Sequence, residues 1–266
     1  MFGFIKKWRQ DRIVKESWVS EDQWTQAFSR LPLLGRLTED EKSRLRRLAI
    51  LLLHQKSFSG AHDFVVTAEV ALVIVLQACL PILNLDLRWY RGWTSIIVYP
   101  AGFAPQRTVM DQFGVAHQVK EALSGEAWQR GPVVLSWQAT EHAGELDGSN
   151  LVIHEFAHKL DMLNGAADGF PPLHRKMHRS AWTAAFEPAF ADFQSKTDGG
   201  VHTGIDAYAA SSPAEFFAVL SEVFFERPQA IQAHYPKIYD NLRQFYRQDP
   251  LAGFAGAGFT GAGHGG

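Results

Sequence analysis

The chain has 266 residues, of which 46% are hydrophobic and 20% are charged, with 19 Phe and 8 Trp. This composition is that of a globular protein with a sizeable core, and it excludes an intrinsically disordered chain. The formal net charge is only −2, so no overall field attracts nucleic acid or anionic lipid. We therefore expect no direct nucleic-acid partner and no membrane.

The expected compartment is the cytoplasm. The single cysteine, Cys79, rules out an intrachain disulfide and fits a reducing environment. The first nine residues lack the long apolar core of a signal peptide. Basic clusters at 6–9 and 42–47 alternate with acidic or apolar residues, so we interpret them as solvated helix faces.

The sequence pattern of the first half of the chain predicts helices followed by strands. Residues 21–53 form two helical segments, the first capped by Ser20 and the second opened by a capping box at Thr38. The apolar run at 66–80 predicts a buried core helix, because it is shorter than the ~20 residues that span a bilayer. Strands are predicted at 95–99, 107–110 and 133–137.

The second half is predicted to be helical, with a polar loop at 140–150 leading into it. A helix starting at Leu151 ends near Leu163, and further helices are expected at about 179–194, 213–226 and 236–247. The glycine-rich residues 252–266 predict a disordered tail. Residues 1–251 are then a single compact α+β domain with a helical N-terminal part, mainly helical with a small mixed β-sheet.

The most informative motif is His154-Glu155-x-x-His158. Helical residues four apart project about 40° from each other, so the two imidazoles can bind one metal ion. Glu155 is then placed to act as general base toward a water molecule at that metal. The alternative is a surface helix that carries two histidines by accident. The apolar residues around the motif argue against it, because unpaired polar groups on a buried helix are costly.

A zinc ion in such a site requires a third protein ligand and an open position. The segment 212–222 offers Glu215 and Glu222, which lie about 20° apart around a helix axis. Glu215 could instead complete a capping box with Ser212, and the glutamate that does not bind metal could support a ligand from behind. The residues alone leave this choice open.

Four other histidines compete weakly for the metal. His174 and His178 share the four-residue spacing but lie beside Arg175 and Lys176, so we interpret them as a surface-facing pair. His142 and His202 lie in polar loops, where a lone histidine is usually solvated.

Four segments together resemble the Mlc titration factor A family of bacterial zinc metallopeptidases. These segments are 96–100, 133–137, 154–161 and 213–222, and the likeness runs from about residue 31 to about residue 244. The resemblance implies a zincin-like (gluzincin) catalytic core with one zinc ion per chain. It also implies that Glu215, which opens the string Glu-Phe-Phe-Ala, is the third zinc ligand.

The site region also looks like the anthrax lethal factor protease, in which a tyrosine seven residues before the ligand glutamate assists catalysis. The matching residue is Tyr208, which would stabilise an oxyanion, although an ordinary core or surface tyrosine is the alternative. The toxin has an acid four residues after its ligand glutamate, where this chain has Val219. Asp161 is a candidate to orient a ligand imidazole.

The function expected from these features is zinc-dependent hydrolysis of peptide bonds, either aminopeptidase-like or as a limited endoprotease. The substrate would be a peptide or protein, and residues 133–137 could be an edge strand that pairs with its backbone or an interior strand. The resemblance also implies an alternative. In it, the chain is a regulatory binding module that sequesters a transcriptional repressor of the Mlc type controlling glucose phosphotransferase genes.

Overall fold

A computed structural model describes residues 2–101, 106–110, 116–120 and 131–252, with side chains at 4–101 and 131–252. The described helices are α1 Phe2–Lys15, α2 Glu21–Ser29, α3 Glu39–Gln55, α4 Ala68–Cys79, α5 Trp137–Thr140, α6 Leu151–Asp161, α7 Arg179–Asp198, α8 Pro213–Glu226, α9 Pro228–His234 and α10 Pro236–Tyr246. The described strands are β1 Ser57–Gly60, β2 Ser95–Tyr99, β3 Gln106–Met110, β4 Ala116–Lys120 and β5 Val133–Ser136.

The main sheet has the strand order β1-β2-β5, and both pairings are parallel. The prediction of a mixed sheet is therefore wrong for these three strands. Parallel neighbours need a long crossover connection, and α4 lies in the one between β1 and β2. Strands β3 and β4 pair antiparallel with each other as a separate two-stranded sheet.

The local signals for helix starts are confirmed. Ser20 and Thr38 each form a capping box, with Gln23 and Glu41 respectively. Helix α1 was missed in the sequence because its apolar residues do not gather on one buried face; Phe4 and Trp8 are exposed. Helix α7 runs four residues beyond the predicted end at 194.

One hydrophobic cluster extends from Trp24 to Tyr246. Helix α8 lies at its centre, where every residue from Glu215 to Glu226 is buried. Helix α6 packs against α8 on one side and contacts α4 and β5 on others. The fully buried aromatic rings around α8 include Phe216, Phe217 and Phe224. The metal motif on α6 is thus held between the sheet and the most buried helix.

Three expectations concern the C-terminal tail, the extent of the domain and the membrane. The predicted disordered tail lies outside the described residues, apart from Ala252, which is helical. The extent of the domain stays a prediction. Across the described ranges, no helix is long and apolar enough to cross a membrane.

Candidate metal centre

Helix α6 carries the histidine motif because its N-terminus is capped and its apolar side is buried. The Asn150 side chain accepts a hydrogen bond from the backbone N–H of Ile153 at 3.0 Å. Val152, Phe156 and Leu160 are fully buried. The alternative of an exposed amphipathic helix is excluded by this burial.

Helix α8 supplies the acidic partner. Ser212 caps the helix by accepting from the backbone N–H of Glu215 at 3.2 Å, and Pro213 occupies the first turn. The Glu215 carboxylate points at the histidines of α6. Its Oε2 lies 3.0 Å from His154 Nε2 and 3.3 Å from His158 Nε2. The cap uses only the backbone N–H of Glu215, so its carboxylate remains available to bind a metal ion.

The three donor atoms form a closed triangle, since the two Nε2 atoms lie 3.2 Å apart. His158 and Glu215 are buried, and the His154 side chain is 13% exposed. Two nitrogen atoms and a carboxylate oxygen at these distances form a group that could hold a metal ion. A cation at the centre would satisfy all three atoms at once, whereas shared protons cannot bridge every pair.

The electrostatics of the group favour positive charge. Burial lowers the pKa of His154, but hydrogen bonds to Glu215 and Glu222 outweigh it and raise that pKa to about 10. Burial raises the pKa of Glu215, but hydrogen bonds to His154 and His158 outweigh it and lower that pKa to about 2. The carboxylate is therefore ionised and attracts a cation at neutral pH.

Glu222 binds the far side of the His154 ring. Its Oε1 lies 2.7 Å from His154 Nδ1, and its Oε2 accepts from the backbone N–H of Asn150. A proton on Nδ1 donated to this carboxylate leaves Nε2 as the nitrogen that would bind a metal ion in place of its own proton. Of the two glutamates that the sequence left open, Glu215 faces both Nε2 atoms and Glu222 faces the remaining nitrogen of one ring.

Asp161 does not make the contact that we expected with a ligand imidazole. Its Oδ2 accepts from the backbone N–H of Gly169 at 2.7 Å. Its Oδ1 and the Nδ1 of His158 are both buried, and neither has a hydrogen-bond partner in the described part of the chain. The structure therefore gives Asp161 a hydrogen bond to the loop after α6 and none to His158.

Glu155 and Tyr208 lie next to the triangle. Glu155 is partly buried, and burial raises the pKa of its carboxyl above the ordinary value. Tyr208 belongs to a 3₁₀ turn at Ala207–Ala210, with its ring centroid 6.2 Å from that of His154. Tyr208 is 43% exposed to solvent, which excludes the alternative of an ordinary core tyrosine.

The competing histidines lie elsewhere. His174 and His178 are not on a helix together, and the surface-facing interpretation is correct only for the exposed His178. His174 is half-buried, with Nε2 2.7 Å from the Phe245 carbonyl oxygen and its ring against Trp89. His142 is exposed beside Glu145.

A network behind the triangle was missed in the sequence. Asn150 Nδ2 donates to Gln77 Oε1 at 2.7 Å and to Glu226 Oε1 at 2.8 Å. Burial raises the pKa of Glu226, and the hydrogen bonds from Asn150 and Leu146 lower it. Burial has the larger effect, so the pKa is about 7. The available signal was an asparagine directly before an apolar helix, which is a preferred N-cap.

Two histidines one helical turn apart, facing a glutamate from a second helix, define a candidate metal-binding protein. Comparison with known proteins identifies the protein family within this class. Residues 5–247 match the family model described as glucose-regulated metallo-peptidase M90, and the chain belongs to this family. It is also 39% identical over 233 residues, 86% of each chain, to Mlc titration factor A of Yersinia pestis (strain Pestoides F). The protein of that name from Yersinia pseudotuberculosis serotype O:1b (strain IP 31758) gives the same values.

Proposed function

We propose that this chain is a zinc-dependent peptidase that hydrolyses peptide bonds, with a zincin-like (gluzincin) centre on α6 and α8. The observation that carries the proposal is the convergence of His154 Nε2, His158 Nε2 and Glu215 Oε2 within 3.0–3.3 Å of one another. Membership of a metallopeptidase family supports the same chemistry. Peptides with free and with blocked amino termini distinguish an aminopeptidase from a limited endoprotease, the two forms that this activity could take.

Zinc fits the donor set. Tetrahedral zinc with bonds of about 2.0–2.2 Å needs donor atoms about 3.3–3.6 Å apart, slightly longer than the triangle here. Three protein ligands, His154, His158 and Glu215, would hold one ion per chain and leave a fourth position. When bound, the ion would act as a Lewis acid toward water and toward the substrate carbonyl.

The remaining groups would perform the proton transfers and position the substrate. Glu155 would take a proton from the attacking water and deliver it to the leaving amine, a role that its raised pKa supports. Tyr208 would donate to the developing oxyanion. Glu222 would hold the His154 ring so that Nε2 faces the ion.

Strand β5 is a candidate docking edge for the substrate. Among the described strands it pairs only with β2, and it contacts α6. An extended peptide could add to this edge through backbone hydrogen bonds. Peptide or protein chains are therefore the proposed substrate class.

The test compares metal content and hydrolysis in the wild type and in Glu155→Gln. We expect the wild type to contain about one zinc per chain and to cleave a panel of peptides with free or blocked amino termini. Glu155→Gln should retain zinc and lose at least ~100-fold in kcat, since general-base catalysis contributes about 10²–10⁴-fold. Full hydrolysis by Glu155→Gln would refute its assignment as the base.

A second candidate function is supported by the relatives, which are named Mlc titration factor A. In it, this chain binds and sequesters a transcriptional repressor of the Mlc type in the cytoplasm. Co-purification of the chain with a purified Mlc repressor tests this. Binding by both wild type and Glu155→Gln, with no peptide cleaved by either, would favour the binding module over the peptidase.

A further inference from the structure

A groove on the opposite side of α6 from the metal triangle has more basic than acidic residues in its lining. It lies between α1, α3 and the segment 86–93, with a volume of about 710 Å³. Six basic side chains line it, together with one acidic side chain, Asp86. The basic ones are Lys6, Lys7, Arg47, Lys56, Arg88 and Arg91. We call this feature the basic groove.

Local acids neutralise only part of this charge. Arg47 pairs with Asp11 at 2.6 Å, and Arg88 pairs with Asp86 at 2.6 Å. Lys6, Lys7 and Arg91 form no ion pair with any carboxylate in the described ranges. A concave surface lined by one sign of charge concentrates the field and attracts counter-ions. The basic groove therefore carries an excess of positive charge in a chain whose net charge is −2.

Lys56 adds a buried positive charge to the wall of the groove. Its residue is only 7% exposed, and Nζ donates to the carbonyl oxygens of Tyr90 at 2.7 Å and Trp93 at 2.6 Å. The ammonium also lies 3.6 Å from the Trp93 ring centroid. These partners are neutral, and burial, together with Lys159, lowers the pKa of Lys56 to about 8. Lys56 therefore contributes positive charge to the groove with no carboxylate beside it among the described residues.

We propose that the basic groove binds a small phosphorylated molecule that carries at least two negative charges. Its volume lies within the ~300–1,000 Å³ of typical small-molecule pockets. Lysine ammonium groups and arginine forks together are the donors that proteins use for phosphate.

The basic groove is distinct from the metal centre. Its lining residue Trp93 packs against Phe156, with ring centroids 5.5 Å apart. Phe156 projects about 160° around α6 from both His154 and His158. A ligand in the groove therefore lies behind the metal-binding helix and not among the metal ligands.

A soluble ligand fits better than a lipid headgroup. Helix α1 exposes Phe4 and Trp8, which are the residues that would enter a bilayer. Trp8 projects about 160° around the helix from Lys6, which lines the basic groove. Neither Phe4 nor Trp8 lines the groove, so a bilayer that took up these two side chains would not fill it.

The experiment is isothermal titration of the full chain with inorganic pyrophosphate at low ionic strength. The test variant is Lys6→Glu with Arg91→Glu, one change on each wall of the groove. The matched control is Lys176→Glu with Lys237→Glu, two exposed lysines outside the groove with the same change in charge. Glu215→Ala reports whether pyrophosphate binds through the metal instead.

We expect pyrophosphate to bind the wild type, the control and Glu215→Ala within about twofold of one another, and the groove variant at least ~10-fold more weakly. If circular dichroism shows the groove variant misfolded, Lys7→Ala with Arg91→Ala replaces it. The proposal is overturned by absence of binding to the wild type, by equal weakening in the control, or by loss in Glu215→Ala. The proposal would also be overturned if the protein sedimented with phosphatidylglycerol vesicles but did not bind pyrophosphate. That result would favour a membrane surface as the partner of the groove.

Discussion

The two ends of α6 hold their histidines in different ways. At the N-terminal end, His154 Nδ1 meets Glu222, which also accepts from the backbone of Asn150. Asn150 in turn binds Gln77 and Glu226, so this end is a connected hydrogen-bonded network. Such a network orients a ring because every alternative leaves a buried polar group without a partner.

At the C-terminal end, the far nitrogen of the His158 ring has no such carboxylate partner among the described residues. Within the part of the chain that the structure describes, His158 Nδ1 and Asp161 Oδ1 are buried without hydrogen-bond partners. Asp161 is tied to Gly169, in the loop that follows α6. The two histidines of one motif therefore depend on different neighbours, and substitutions at each end should separate these dependences.

The largest effect is expected from Gly169→Ala at the C-terminal end. Gly169 has φ of 77°, and a Cβ there would lie 2.4 Å from the Pro213 carbonyl oxygen. Backbone strain and overpacking together should cost about 3–5 kcal/mol of unfolding free energy. Urea denaturation measures this, with Gly165→Ala as the control, because a Cβ at Gly165 meets nothing within 4 Å. Equal stability of the two variants would contradict the account.

A smaller loss of stability is expected from Asn150→Ala at the N-terminal end. The substitution removes the α6 cap and leaves Gln77 and Glu226 without their buried partner. The expected cost is about 2–3 kcal/mol in urea denaturation. Ser20→Ala removes a cap at the exposed start of α2 and should cost only about 1 kcal/mol. A smaller loss in Asn150→Ala than in Ser20→Ala would show that the network contributes nothing.

Glu222→Ala tests whether the network serves the metal. Removal of the group that orients a ligand histidine typically weakens metal binding by about 10–100-fold. Competition with a zinc-sensitive chelating dye should show this loss in Glu222→Ala. Glu215→Ala should lose metal altogether, because it removes a proposed ligand. If Glu222→Ala loses the metal and Glu215→Ala keeps it, the two roles are reversed.

Asp161→Asn should have the smallest effect on zinc binding, within about threefold of the wild type, since Asp161 forms no hydrogen bond with His158. Its effect should appear in the pH dependence of stability. Burial raises the pKa of Asp161 to about 7, although the hydrogen bond from Gly169 lowers it. The folded state therefore keeps a proton that the unfolded state releases between about pH 4 and 7, and wild-type stability falls as pH rises through that window.

Asp161→Asn removes this titration. Between pH 5 and pH 8, urea denaturation should show the variant gaining about 2–3 kcal/mol of unfolding free energy relative to the wild type, because about two pH units of the window lie in that range. A parallel pH dependence in the two proteins would mean that Asp161 is already ionised in the fold.

Much of the candidate site could be predicted from the sequence. The spacing of His154 and His158, and the family resemblance that selects Glu215, named three side chains that the fold brings together. Short-range signals, such as the caps at Ser20 and Thr38, also gave the correct helix starts.

Features that depend on packing between distant segments could not be predicted. Glu222 meets His154 across 68 residues of sequence, and the nitrogen that it faces depends on how α8 lies against α6. The direction of β5 relative to β2 depends on the path of their connection, which strand patterns do not encode. Lys6 and Arg91 are also far apart in sequence, which is why the cluster at 6–9 was interpreted only as a solvated face.

The most direct test is an anomalous-scattering crystal structure of the zinc-loaded protein, with data collected on either side of the zinc absorption edge. We expect one strong peak per chain, within about 2.0–2.2 Å of His154 Nε2, His158 Nε2 and a Glu215 carboxylate oxygen. A peak bound by other residues, or no peak between these three side chains, would contradict it.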